Sequence, residues 1–264
     1  MNIFFRELKA NFKSLLIWSV IIALFIMAVT AKFSAFVGDA SMLKMLDSLP
    51  KAMLDVFNLR AFNLTTLTGF YGLVFVYFAL MGAIAAAMWG SDLISKEERD
   101  KTVEFSLVLP VTRSAVVTAK ALAGLVYCFA FMLITWGVSL VAIRSFNPEP
   151  AFYSYLALEM QALLVIELIF LAIGLLLGCA MKQYKRSGST VVAIILTTYF
   201  LYVLASMQSS LDFLKYFTPF KYFDASQLLL SGHMDRSFLL LSAIIIVVSL
   251  IGAYWIYNKR DLYI

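Results

Sequence analysis

The chain has 264 residues, 62% hydrophobic and only 14% charged, with 21 Lys and Arg against 16 Asp and Glu. A soluble domain, at roughly 45–50% apolar and 25% charged, could not hide that much apolar surface. The apolar residues fall in blocks of about twenty instead of at helix or strand periods, which points to one domain in a bilayer. The net charge of +5 gathers at the ends of those blocks and forms no stripe, arguing against nucleic acid and for anionic lipid headgroups as its partner.

Residues 1–14 place Phe4, Leu8 and Phe12, followed by Leu15, at helical spacing, with Arg6, Lys9 and Lys13 elsewhere. This predicts an amphipathic helix lying on the inner membrane surface and turning into the first span. A cleaved leader ending at Val29-Thr30-Ala31 fits so long a charged lead-in poorly. Six stretches can then cross about 30 Å of hydrocarbon: Leu15–Ala31, Gly69–Gly90, Ala121–Ile143, Leu156–Met181, Val191–Met207 and Ser237–Tyr257. Strict barrel alternation is missing, so the fold class is all-α, a polytopic membrane protein with six transmembrane helices.

Lys and Arg set the orientation. Segments 1–14, 91–120, 182–190 and 258–264 hold thirteen in 60 residues, whereas 32–68, 144–155 and 208–236 hold eight in 78. The positive-inside rule therefore puts both termini in the cytoplasm. Trp18, Trp89 and Trp255 fall near the predicted inner boundary, as interfacial indoles do. The two long outer segments are strongly apolar, with Met42, Leu46, Leu54 and Phe57 in one and Phe213, Phe217 and Phe220 in the other. They are expected to lie in the outer interface or dip into it.

Catalytic signatures are scarce. No GxxxxGK[ST] loop occurs, His233 is the single His, and Cys128 and Cys179 lie apart within apolar blocks. The sequence thus offers no nucleotide-binding motif, no metal ligand set and no catalytic residue. Glu97-Glu98 is a glutamate pair of the kind used by intramembrane CAAX-type proteases, but Thr102 stands where that pattern wants Arg. Glu159 and Glu167 lie inside the fourth span, eight residues apart and within about 80° on one helical face. An ionisable group there is costly unless neutral, paired or facing a wet cavity. Glu167 is a candidate polar residue on a substrate path or a proton site, and equally a group bonded to a neighbouring helix. Gly82, Ala86 and Gly90, then Gly174 and Gly178, recur every four residues, the spacing of close helix packing within or between subunits.

The stretch Gly90–Lys120 is the most informative. Ser95 and Glu98 have capping-box spacing, charges cluster over Lys96–Lys101, and Val103, Phe105, Leu107, Val108 and Leu109 follow before Pro110. A short surface helix would there present charge and apolar side chains to a cytoplasmic partner. In order along the chain stand Gly90, Ile94-Ser95-Lys96-Glu97-Glu98-Arg99, Thr102-Val103-Glu104, Leu109-Pro110-Val111-Thr112-Arg113 and Lys120, with Thr218–Asp224 before the last span. In these residues the chain resembles the permease subunits of type 2 ATP-binding-cassette exporters. Lys101 departs from that family's usual Gly before Thr102.

The resemblance implies a bacterial plasma-membrane transport subunit without enzymatic activity of its own. It would work with a separate ABC ATPase subunit that binds ATP and Mg, and with a second permease copy, identical or not. It also implies that 91–113 is a coupling segment docking on the ATPase, with Ile94, Glu97, Glu98, Arg99, Lys101, Thr102, Glu104 and Phe105 as docking residues. The N-terminal surface helix would lie against it. An interior rich in Phe, Met and Tyr suits an amphipathic or lipid-like substrate such as a peptide, antibiotic or lipid conjugate. The alternative reading is an ion-coupled transporter or channel acting without an ATPase, with Glu167 as its coupling site.

Overall fold

The computed structural model describes residues 3–36, 62–99, 111–181 and 184–259. Among them are eight α-helices and no strand: α1 (Ile3–Phe36), α2 (Leu67–Arg99), α3 (Arg113–Ile143), α4 (Pro150–Ala180), α5 (Tyr184–Met207), α6 (Pro219–Tyr222), α7 (Ala225–Ser231) and α8 (Arg236–Lys259). Six of these, α1 to α5 and α8, are long and apolar enough to cross a membrane. They run up and down, because buried and capping contacts gather the start of α1, the end of α2, the starts of α3 and α5 and the end of α8 at one end of the bundle.

Helices α2 and α4 form the centre. Gly90 and Gly174 bring the two backbones together: a Cβ on Gly174 would land on the Ala87 carbonyl, and one on Gly90 on the Leu171 carbonyl. Gly178 repeats the approach one turn on, where a Cβ would lie 2.9 Å from the Ser91 carbonyl. In lipid, where tails are as apolar as Leu, such backbone proximity is what holds helices together. The four-residue glycine pattern therefore serves a seam inside this subunit. The outer faces of α1, α5 and α8 expose Leu24, Met27, Phe200, Val248 and Ile251, as surfaces turned to hydrocarbon do.

Several expectations change at the helix ends. The lead-in is not a separate surface helix, because α1 runs unbroken from Ile3 to Phe36. Its inward row is Ile3, Glu7, Asn11 and Leu15, while Phe5 and Phe12 are exposed. Apolar side chains can face lipid here, which frees the inner face for polar groups that find partners in the protein. Likewise α2 does not stop at Gly90 but continues to Arg99. Ser95 is therefore no N-cap: its hydroxyl bonds back to the Ser91 carbonyl at 2.9 Å, within the helix. Trp89 is buried instead of interfacial. Of the connection 208–235 between α5 and α8, Phe213 and Phe217 are exposed whereas Thr218, Phe220, Tyr222 and Phe223 dip back into the bundle.

Candidate functional site

Three places in the bundle bury polar groups. The first is the end that carries both termini. Glu7 sits on the inward row of α1, and Lys120 lies two turns into α3, fully buried. The Lys120 ammonium lies 3.1 Å from the Glu7 carboxylate and also donates to the Leu93 carbonyl of α2. Arg6 adds a longer contact to Glu7 at 3.4 Å. The Tyr127 hydroxyl of α3 donates to the Leu8 carbonyl, and the Trp89 indole donates to the Ser14 hydroxyl at 2.9 Å. The Trp89 ring packs on Tyr127 with centroids 5.5 Å apart. The first four turns of α1 are thereby latched to the ends of α2 and α3.

The end of α2 is wedged on its other sides too. Ile94 is buried against Gly178 of α4, where a Cβ on the glycine would lie 3.0 Å from that of Ile94, and the Ser91 and Ser187 hydroxyls meet between α2 and α5. Across the same end, Thr112 caps α3 by accepting from the Ala115 amide at 3.2 Å. Arg113 donates to the Asn258 carbonyl at 3.2 Å, covering the C-terminus of α8 where orphan carbonyls favour a cation.

The docking residues inferred from sequence therefore divide. Ile94 faces into the protein, because the helix continues and turns it toward Gly178. Glu97, Glu98 and Arg99 form the last turn of α2. Lys101, Thr102, Glu104 and Phe105 lie outside the described residues. Lys120 was legible only as the end point of a motif. Glu7 was missed, and the one signal for it was an acid on an otherwise basic lead-in.

The second place is the core of α2, α3 and α4. Glu167 is fully buried, its carboxyl 2.8 Å from where a Gly82 Cβ would be and beside Cys128. Neither carboxyl oxygen has a hydrogen-bond partner, and the same is true of Glu159 two turns nearer the other end. Glu167 thus sits inside the subunit core, away from the cavity described next.

The third place is a cleft between α2 and α5, closed by α6 and α7. Its walls include Tyr77 of α2, Tyr199 and Tyr202 of α5, and Phe220 and Phe223 of the dipping segment. Lys221 pairs with Asp224 at 2.7 Å, donates to the Ser206 hydroxyl at 3.2 Å and lies over the Tyr202 ring. Burial pushes the Tyr222 phenol up to about 12, so it remains a neutral donor to the Tyr216 carbonyl at 2.6 Å. Aromatic walls with the paired Asp224 carboxylate at their edge give a surface that is apolar in area and polar at a few points.

A closely packed bundle of six membrane-crossing helices, with no cluster of metal-binding side chains among the described residues, defines a polytopic membrane protein built to hold helices against one another. Residues 1–262 match the family model described as ABC-2 family transporter protein, and the chain belongs to that family. It is the transmembrane subunit of an ABC transporter. None of the curated proteins compared with it matches significantly.

Proposed function

We propose that the chain is the permease of an ATP-driven exporter, paired with a separate ABC ATPase subunit and a second permease copy in a bacterial plasma membrane, both termini cytoplasmic. The observation that carries this reading is the latch at the terminal end of the bundle, within a chain whose family assignment spans 1–262. Leu93 stands six residues before the end of α2, and its carbonyl is held by Lys120, which is held in turn by Glu7. A partner seated on residues 97–105 would push on a helix tied at once to α1, α3, α4 and α5. ATP and Mg on the partner would favour one arrangement of that joint by binding its two states unequally.

The α2/α5 cleft, with its tyrosines and phenylalanines, is the proposed contact surface for an amphipathic or lipid-like substrate. The test is co-purification from membranes with a co-expressed ABC ATPase, followed by ATP-dependent efflux in proteoliposomes. Glu98→Ala and Phe105→Ala are expected to lose the ATPase while keeping the fold. Undiminished association in both would overturn the docking role. Flux driven by a pH gradient without any ATPase would select the ion-coupled alternative.

A further inference from the structure

The connection from α5 to α8 encloses a second cavity of about 330 Å³, lined by a different set of residues from the α2/α5 cleft. Its aromatic wall is the Tyr222 ring stacked on Phe238, with centroids 5.1 Å apart and planes within 8° of parallel. That stack ties α6 to the first turn of α8, and the Tyr222 hydroxyl ties both to the Tyr216 carbonyl at 2.6 Å. The polar walls differ in sign. From one stretch of chain come Asp212, Lys215 and Lys221, and each ammonium is held by a carboxylate: Lys215 by Asp212 at 2.6 Å, Lys221 by Asp224 at 2.7 Å. An ammonium has three N–H groups, so donors remain on both lysines. From the other stretch, 227–235, come His233 and Asp235 and no lining Lys or Arg. Asp235 accepts the Ser237 amide at 2.7 Å with one oxygen, which leaves the other for a ligand. His233 Nδ1 lies 3.3 Å from the Met234 carbonyl. A carbonyl only accepts, so Nδ1 carries the proton there and Nε2 of the neutral ring is an acceptor.

The place of the cavity is a second, independent observation. Both α5 and α8 can cross a membrane, so the chain between them emerges at the membrane boundary. Phe213, Tyr216, Phe217 and Leu230 of that connection are exposed, as side chains are where headgroups meet acyl chains. We propose that this cavity binds the headgroup of a phospholipid carrying both a phosphate and a primary ammonium, of the phosphatidylethanolamine type. Lys215 and Lys221 hold the phosphate by charge-assisted bonds, and Asp235 and His233 accept from the ammonium. The lining sets two lysines against two aspartates, a balance that favours a ligand of both signs. An anionic headgroup would leave Asp235 facing negative charge, and a quaternary ammonium has no N–H to give. The volume lies at the lower end of the roughly 300–1,000 Å³ of small-molecule sites, enough for a headgroup whose acyl chains lie outside along the exposed rings. A bound lipid ties the Ser209–Phe217 segment, α6 and the start of α8 together, next to the Lys221–Asp224 pair at the edge of the α2/α5 cleft.

The test uses the purified full-length chain, equilibrated with equal amounts of phosphatidylethanolamine, phosphatidylcholine and phosphatidylglycerol of the same acyl chains. The lipid retained is read by native mass spectrometry. Wild type is expected to keep phosphatidylethanolamine over each of the others by about tenfold, that is by about 1.4 kcal/mol of binding. Asp235→Asn keeps the side-chain acceptor for the Ser237 amide and removes the charge, so it should bring phosphatidylethanolamine and phosphatidylcholine to parity. Lys215→Gln should weaken retention of phosphatidylethanolamine by a similar factor. Both changes are at exposed positions and leave the Tyr222–Phe238 stack intact, and the wild-type preference alone carries the test if either fails to fold. Equal retention of all three lipids overturns the proposal, as does a preference for phosphatidylglycerol or a phosphatidylethanolamine preference that survives in Asp235→Asn. In phosphatidylcholine nanodiscs, phosphatidylethanolamine should raise the apparent Tm saturably. Soluble O-phosphoethanolamine at the same concentration should not, and an equal rise would assign the cavity to a free solute and overturn its assignment to lipid.

Discussion

The two ends of the bundle bury polar groups in opposite ways. At the end with the termini the buried polar side chains of α1 and α3 have partners: Lys120 with Glu7 and the Leu93 carbonyl, Asn11 with the Glu7 carbonyl at 3.4 Å. In the core and toward the other end, the Glu159 and Glu167 carboxyls have none. A closed network fixes the positions of the helices that share it, since removing one member leaves the rest exposed to a low dielectric. Unpartnered carboxyls fix nothing by themselves; they mark space where something else comes and goes or where the charge is absent. The difference places the closed polar joint of the molecule beside the last turns of α2 and its unpartnered carboxyls further along.

The largest effect is expected where both ends share one seam. Gly174→Val would drive a side chain into the Ala87 carbonyl of α2, with no flexible neighbour to yield. A loss above about 4 kcal/mol is expected, seen as absence of the monodisperse peak when membranes are extracted for size exclusion. A normal peak would mean that α2 and α4 can part without harm to either end. Next comes Lys120→Met, which strands the Glu7 carboxylate and should cost about 3–5 kcal/mol. Adding Glu7→Leu should restore most of that, because the pair confers position more than net stability. Were the double variant as unstable as the single, the latch would be a source of stability in its own right and the contrast would need redrawing.

Much of the architecture was legible because the bilayer writes it plainly. The six apolar blocks became α1 to α5 and α8, and the glycines at 82, 90, 174 and 178 announced a close seam. The ends of helices were not legible. Hydropathy marks where the lipid stops, and α2 leaves the apolar block with Ser91 and Ser95 still inside the packed bundle. Charges near a span end read as interfacial, yet Lys120 is buried because Glu7, 113 residues earlier, waits on the neighbouring helix. No local pattern carries that pairing. Trp89 misled for the same reason: an indole at the boundary looks like a membrane anchor until Ser14 supplies its acceptor. Helical phase did foretell that Glu159 and Glu167 share a face, though it left open whether that face met substrate, water or protein. The packing answers for Glu167, which meets Gly82 and Cys128.

Glu167→Gln should sit well below Lys120→Met in effect. It keeps the shape, and with no partner to strand it is expected to shift stability by no more than about 1 kcal/mol. A loss matching that of Lys120→Met would show that Glu167 does hold a counter-charge, and the contrast between paired and unpaired ends would break.

The finest probe is Trp89→Phe. The ring face that packs on Tyr127 and meets Phe131 at 6.0 Å is largely retained, and what goes is one indole N–H to the Ser14 hydroxyl. A neutral hydrogen bond contributes about 0.5–1.5 kcal/mol, and Ser14→Ala should cost a similar amount. Because the two groups serve each other, the double variant should cost little more than either single one, a coupling of about 1 kcal/mol. Additive losses would mean that Trp89 holds α2 and α3 by its ring alone. The first turns of α1 would then depend on Glu7, Lys120 and Tyr127 for their attachment, and the latch would narrow from two layers of contacts to one.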